Sequence, residues 1–272
     1  MFRPILLFML RGQETQSWTT VEALKNLLPK PLRGWLRSRR QQLRLKWRMV
    51  NRVKDFSKLR RVKPYRPSLG VFHGQCIDRY YIEDFLTLHM DDVKGHVLDF
   101  SDDTYARKFG GGKTTKVDVL HLSPDNPHAT IVADLAGGEK IPSDTFDCIL
   151  CTQVLHCIYE VDAAVRTLYR VLKPGGVVLV TGPGIQKIDS EDIRNEEEYW
   201  RFTSLSLRRL FESVFPENHV EVKAYGNPLT AIAFLHGLAV EDLRRKDLDS
   251  SDPDYEVSIA LRAVKPRTHP AL

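Results

Sequence analysis

The chain has 272 residues, 42% hydrophobic and 28% charged, with 16 glycines and 15 prolines. Those proportions exclude a disordered chain, a collagen-like repeat and a low-complexity sequence, and they fit one large domain or one domain plus an extension. The net charge of +5 is unevenly spread: residues 1–70 hold 18 Lys and Arg against Glu14, Glu22 and Asp55, a balance of +15, while residues 71–272 carry −10.

The longest early apolar run, Ile5 to Leu10, is too short to cross a bilayer and lacks the basic start and small-residue cleavage site of a secretory signal. Four cysteines, Cys76, Cys148, Cys151 and Cys157, are too few for a disulfide scaffold at this length and fit a reducing compartment. A soluble chain of the cytoplasm is therefore expected.

Residues 1–70 read as a basic helical N-terminal extension. Thr19 and Thr20 can cap a short helix through Leu28, and a long cationic stretch follows from about Leu32 to Val62, with Leu36, Leu43, Trp47, Val50 and Val53 at roughly helical spacing. After Pro64 and Pro67 the composition changes, which sets the second domain at 71–272. There the pattern alternates: a helix over 78–89, strands over 96–100, 116–120, 130–133 and 146–152, a helix over 161–172 stopped by Lys173-Pro174-Gly175-Gly176, and a fifth strand over 177–181. Such alternation implies a doubly wound α/β sheet, mainly parallel. A helix over 204–215, a strand over 219–225, a helix over 229–243 and a last strand over 255–264, read as antiparallel, complete the chain.

In such a sheet, ligands bind outside the carboxyl ends of the strands, and an acid about twenty residues after the first turn is placed to hold a ribose diol. Asp99 ends the first strand and Asp118 follows 19 residues later, which makes Asp118 the ribose candidate or a turn Asp that solvates a strand end. Asp134 follows the third strand, where a carboxylate can accept an adenine amine; Asp147 opens the fourth strand at the opposite edge and reads as structural.

Asp99, Asp118, the segment IVADL at 131–135, FDCILCTQVLHCI at 146–158, LKPGG at 172–176 and YWRFT at 199–203 together resemble the class I S-adenosylmethionine-dependent methyltransferases, over about residues 76–265. The likeness is closest to the methyltransferase type 11-like branch acting on small molecules and glycans. It implies a seven-stranded Rossmann-like sheet in the order 3-2-1-4-5-7-6 with strand seven antiparallel. It further implies cofactor contacts at Asp99, Ser101, Asp118, Val119, Asp134, Leu135 and Gln153, with the helix carrying Arg79, Tyr80 and Tyr81 over the cofactor or its rings in the core. One departure stands out. Where the family alternates glycines after the first acid, this chain reads Asp99-Phe100-Ser101-Asp102-Asp103-Thr104-Tyr105. Glycines there let the backbone approach a ligand, so a decayed, non-catalytic member acting within an assembly is the rival reading.

Gly110-Gly111-Gly112-Lys113 lacks the spaced first glycine of a phosphate loop and follows a helix, so it reads as a helix stop. Cys148 and Cys151 differ by an odd step along a strand and face opposite sides, so no metal is expected. His156 follows the fourth strand at the catalytic edge, where a neutral imidazole can take a proton from an acceptor hydroxyl or simply pack at a helix start. Tyr199, Trp200 and Arg201 fall where an acceptor sits or where a lid packs. The resulting expectation is methyl transfer to an oxygen of a small molecule or glycan precursor, with His156 as base. The arm at 30–63, with 14 Lys and Arg against Asp55 alone and an apolar side at Trp35 and Trp47, is expected to dock on an anionic membrane surface or on the acidic body itself. The acidic body argues against a nucleic-acid partner.

Overall fold

Strand β4 (Phe146–Thr152) is apolar along nearly its whole length and buried on both faces, as a central parallel strand must be. The computed structural model describes residues 61–67, 74–188 and 197–267. Beside β4 lie β1 (Gly95–Phe100), β2 (Thr114–His121) and β3 (Ile131–Val132) on one side, and β5 (Leu172–Pro183), β7 (Ser258–Val264) and β6 (Val220–Tyr225) on the other. The order is β3-β2-β1-β4-β5-β7-β6, with β7 antiparallel to both neighbours and the other pairings parallel. This is the expected sheet.

Helix α1 (Ile77–Leu88) buries Ile77, Tyr81, Ile82 and Phe85, and α2 (Val161–Val171) buries Ala164, Val165, Leu168 and Val171, both at helical spacing. Helix α3 (Ser204–Glu212) starts in a capping box, Thr203 with Ser206, and α4 (Pro228–Leu235) in another, Asn227 with Thr230, with proline in its first turn. The main core lies between β4, β5, α2 and α3.

Three boundaries differ from the sequence pattern. The helix expected over 229–243 stops at Leu235 because Gly237 turns left-handed at φ 69° and Leu238 bonds back to Ala233 O at 2.9 Å. A single-turn 3-10 element (Val240–Asp242) and the helix α5 (Arg245–Asp249) follow it. The Pro174-Gly175-Gly176 stretch follows the end of α2 at Val171 as expected, but it is also a bulge inside β5, whose pairing skips from Phe146↔Leu172 to Cys148↔Val177. Gly175 sits at φ 83°, and a Cβ on Gly176 would come within 3.0 Å of Phe146 O. Third, Tyr65 and Arg66, grouped with the N-terminal extension by composition, dock on the α4 end: Arg66 N donates to His236 O at 3.1 Å and the Tyr65 ring lies 5.4 Å from that of His236. The helices expected within residues 1–60, and most of the arm at 30–63, lie outside the described residues.

Candidate active site

The turn after β1 is built around Asp99. Its carboxylate is 2% exposed and accepts from Phe100 N at 2.9 Å and Ala106 N at 3.0 Å. Burial pushes its pKa up to about 7. Ser101, standing where the family has glycine, holds the left-handed conformation itself at φ 65°. The acids that follow stay within the turn: Asp102 accepts from Thr104 N at 2.8 Å and Asp103 pairs with Arg107. Arg79 of α1 reaches the Tyr105 hydroxyl at 3.4 Å. Tyr81 is a core ring stacked on Tyr225 at 5.3 Å, and the Tyr80 hydroxyl bonds to Asp249.

The register of β1 and β2 sets the faces on which Asp99 and Asp118 lie. Asp99 is level with Val119 and Asp118 with Leu98, so Asp118 points to the face opposite Asp99. There it is 7% exposed and fully engaged: Oδ2 meets His96 Nε2 at 2.6 Å and Lys116 Nζ at 2.7 Å, and Oδ1 accepts from Thr130 Oγ1 at 2.9 Å. Val119 has its amide bound by Thr130 Oγ1 and its carbonyl by Thr130 N, both at 2.9 Å. Strand β2 runs on to His121, which shares the face of Asp99 and occupies the strand end that the spacing argument gave to Asp118.

His121 Nδ1 lies 3.0 Å from both the amide nitrogen and the carbonyl oxygen of Ser123, which ties the ring to the loop beyond β2. The loop beyond folds back on the first turn, where Asn126 Nδ2 donates to Ser101 O at 2.7 Å. Asp134 is exposed beyond β3, with Oδ1 accepting from Ala136 N at 2.9 Å, while the Leu135 side chain is a core residue.

Polar atoms without protein partners collect beyond β4 and β5. Gln153 turns the chain at φ 55° with its amide donating to Thr181 O at 2.9 Å, and its side-chain Nε2 is buried and unbonded, as are Thr181 Oγ1 and Gln186 Oε1. His156, 6% exposed in a single 3-10 turn (Leu155–Cys157), has Nε2 3.9 Å from Glu198 Oε1 and no hydrogen bond at Nδ1. Burial, which outweighs the nearby Glu198 charge, lowers its pKa to about 4. Glu198 itself is clamped by Arg201. Unpaired buried atoms are rare in folded chains, and these four are open to water or a bound group. Cofactor-sized polar chemistry fits here: a left-handed first turn, a histidine at the β2 end and an open amide at Gln153.

Two other sequence features are structural. Lys113 turns away from any phosphate position, bonding Met90 O at 3.0 Å and Asp91 at 2.9 Å, and Asp147 accepts from His96 N and Lys173 Nζ, both at 2.8 Å. Cys148 and Cys151 are fully buried.

Residues 103–180 match the model of a family described as a methyltransferase domain. A probable polyketide synthase 5 of Dictyostelium discoideum is 27% identical over 101 residues, which is 37% of this chain and 4% of that protein. A ubiquinone/menaquinone biosynthesis C-methyltransferase of Escherichia coli is 51% identical over 39 residues, 14% of this chain and 16% of that one. The chain thus covers only a small part of the length of these curated relatives. Among solved structures, the N-methyltransferase NodS from Bradyrhizobium japonicum in complex with S-adenosylhomocysteine superposes with a TM-score of 0.46 at 12% identity, over 77% of this chain and 95% of that one. A SAM dependent methyltransferase from Archaeoglobus fulgidus gives 0.44 at 12%, over 69% and 90%. The matched segment holds β2, β3, β4, α2 and most of β5, within a sheet whose order and antiparallel β7 are those the sequence resemblance implies.

Proposed function

We propose that this chain transfers a methyl group from S-adenosylmethionine to an oxygen of a small-molecule or glycan-precursor acceptor. The observation that carries the reading is the row of buried, unbonded polar atoms on Gln153, His156, Thr181 and Gln186, gathered where β4 and β5 end. When bound, the cofactor supplies an electrophilic methyl on a sulfonium. The first turn at Asp99 and Ser101 with His121 and Asp134 would flank its nucleoside, and Gln153 its methionine part. Asp99 acts through the turn, since both its oxygens hold backbone amides.

The chain's further task is alignment, because displacement needs nucleophile, carbon and leaving sulfur in line. His156, neutral at pH 7 because burial disfavours its cation, offers Nδ1 as acceptor for the hydroxyl proton. A peripheral, cytoplasmic setting belongs to the same proposal: residues 30–63 would hold the enzyme at an anionic leaflet, each basic residue adding about 1 kcal/mol. No helix among the described residues is long and apolar enough to cross a membrane.

Calorimetric titration with S-adenosylhomocysteine tests the reading. Saturable binding supports it, and undetectable heat with folded protein replaces it with the decayed-site alternative.

A further inference from the structure

Beside His156 the chain exposes three aromatic rings that neither the core nor the cofactor cleft occupies. Tyr159 is 62% exposed, Tyr199 45% and Trp200 36%. Tyr159 stacks on Trp200, with 5.9 Å between centroids and 25° between planes, and meets Tyr199 edge-on at 5.3 Å. The base of this platform is fixed. The amides of Tyr199 and Trp200 donate to His156 O at 2.8 and 3.2 Å, and the Trp200 indole donates to Ile158 O at 2.9 Å.

Two carboxylates border the rings. Glu197 accepts the Tyr199 hydroxyl, and this bond, with a smaller push from the Glu160 charge, raises the phenol's pKa. Glu160 stands at the N-terminus of α2, yet its side chain makes no capping hydrogen bond. Among the described residues, neither carboxylate has a cationic partner, since the neighbouring guanidinium of Arg201 is held by Glu198 and by the carbonyls of Gln186, Lys187 and Trp200. Ring faces attract cations through their quadrupole, and unneutralised carboxylates add a direct Coulomb attraction. His156, whose carbonyl anchors the platform, is itself buried with Nδ1 unbonded.

We propose that the platform of Tyr159, Tyr199 and Trp200 with Glu160 and Glu197 binds a protonated amine, so that the acceptor is an amino sugar offering a hydroxyl to His156 and an ammonium group to the two carboxylates. The inference rests on the methyl-transfer reading, which places an acceptor at this edge. The face of a sugar ring suits Tyr159, and the acids select the charged amine over a neutral substituent.

NMR of the full chain tests this by following the indole N–H of Trp200, identified by its loss in W200F, during titration with glucosamine, N-acetylglucosamine and glucose. Glucosamine is expected to bind about two- to fivefold more tightly than glucose, the scale of one exposed cation–π contact, with N-acetylglucosamine resembling glucose. The double variant E160Q/E197Q should abolish that preference while keeping the wild-type melting temperature. Equal responses to the three sugars, or none to glucosamine, overturn the inference. S-adenosylhomocysteine titrated in parallel separates the two claims. Binding of it without glucosamine sinks the amine site alone, and the reverse keeps the cation site and removes the methyl-transfer reading.

Discussion

Replacing Asp118 and His121 in turn separates the interior network from the ligand edge. Asp118→Ala leaves the imidazole of His96, 17% exposed at its side chain, and the Thr130 hydroxyl without their shared acceptor, while Lys116, 60% exposed, returns to water. One charge-assisted bond and one ordinary bond, with the exposed lysine discounted, come to about 3 kcal/mol. In a chain of this size that lowers the melting temperature by roughly 5–10 °C. Desolvation works against ionisation of Asp118, but the bonds from Lys116, His96 and Thr130 prevail and hold its pKa below the ordinary carboxylate value. Its stabilisation is therefore fully present above that ordinary value and is lost as pH falls through the depressed one, so wild type and Asp118→Ala converge in acid. His121→Ala removes a half-buried ring whose side-chain hydrogen-bond partner among the described residues is Ser123, and should cost under about 1 kcal/mol of stability. Its effect belongs to binding, where one lost hydrogen bond weakens S-adenosylhomocysteine by about three- to tenfold. Thermal melts and calorimetry on both variants decide. If Asp118→Ala melts like wild type but loses the ligand while His121→Ala keeps it, Asp118 reaches the ribose and the argument from strand faces is wrong.

Ser101→Gly relieves a left-handed residue by about 1 kcal/mol and adds a similar chain entropy to the unfolded state, so the melting temperature should stay within about 3 °C with binding retained. Loss of binding in the folded variant would show that the hydroxyl has a role. Gln153→Ala should lower S-adenosylhomocysteine affinity without lowering the melting temperature, because the amide it removes has no protein partner; unchanged affinity would take Gln153 out of the site. Full-length protein should sediment with anionic and not with neutral vesicles at low salt, and a chain beginning at residue 61 should not; equal sedimentation of the two chains would clear the basic arm of that role.

What the sequence made legible follows from how locally each feature is encoded. Strand β4 falls where the apolar run of Phe146–Thr152 places it, since a strand buried on both faces needs no partner to be recognised. The Pro174-Gly175-Gly176 stretch follows the end of α2 as its residues announce, while its second part, a bulge of β5, is visible only in the pairing with Phe146 and Cys148. Asp118 shows the limit of spacing: counting residues finds an acid at the right interval but does not say where β2 ends or which face a residue takes. His121 needed the register with β1. Glu198, Tyr199 and Trp200 reach His156 by chain reversal, and no interval along the sequence announces those contacts.

The two buried titrating groups at the catalytic edge are shifted in opposite directions, and that has a measurable consequence. Asp99, raised to about 7 by burial, keeps its proton in the folded chain where an unfolded Asp has lost it. Between about pH 4 and 7 the native state thus binds more protons, and this group makes stability fall as pH rises, by about 4 kcal/mol across the window. His156, lowered to about 4 by burial, is neutral where an unfolded His is charged. Its contribution is present above about pH 6.5 and lost as pH falls toward 4, a span of about 3 kcal/mol of the opposite sign. In wild type these two slopes largely cancel between about pH 4.5 and 6.5. His156→Gln removes one of them, so its stability should fall relative to wild type by about 1 kcal/mol for each unit of rising pH in that interval, read from urea unfolding at fixed pH. Parallel curves for the two proteins would mean that His156 titrates like a solvated imidazole. A neutral imidazole with a free Nδ1 would then be lost to the mechanism, whereas the predicted divergence shows the ring uncharged across the neutral range, with Nδ1 open to accept a hydrogen bond from an acceptor hydroxyl.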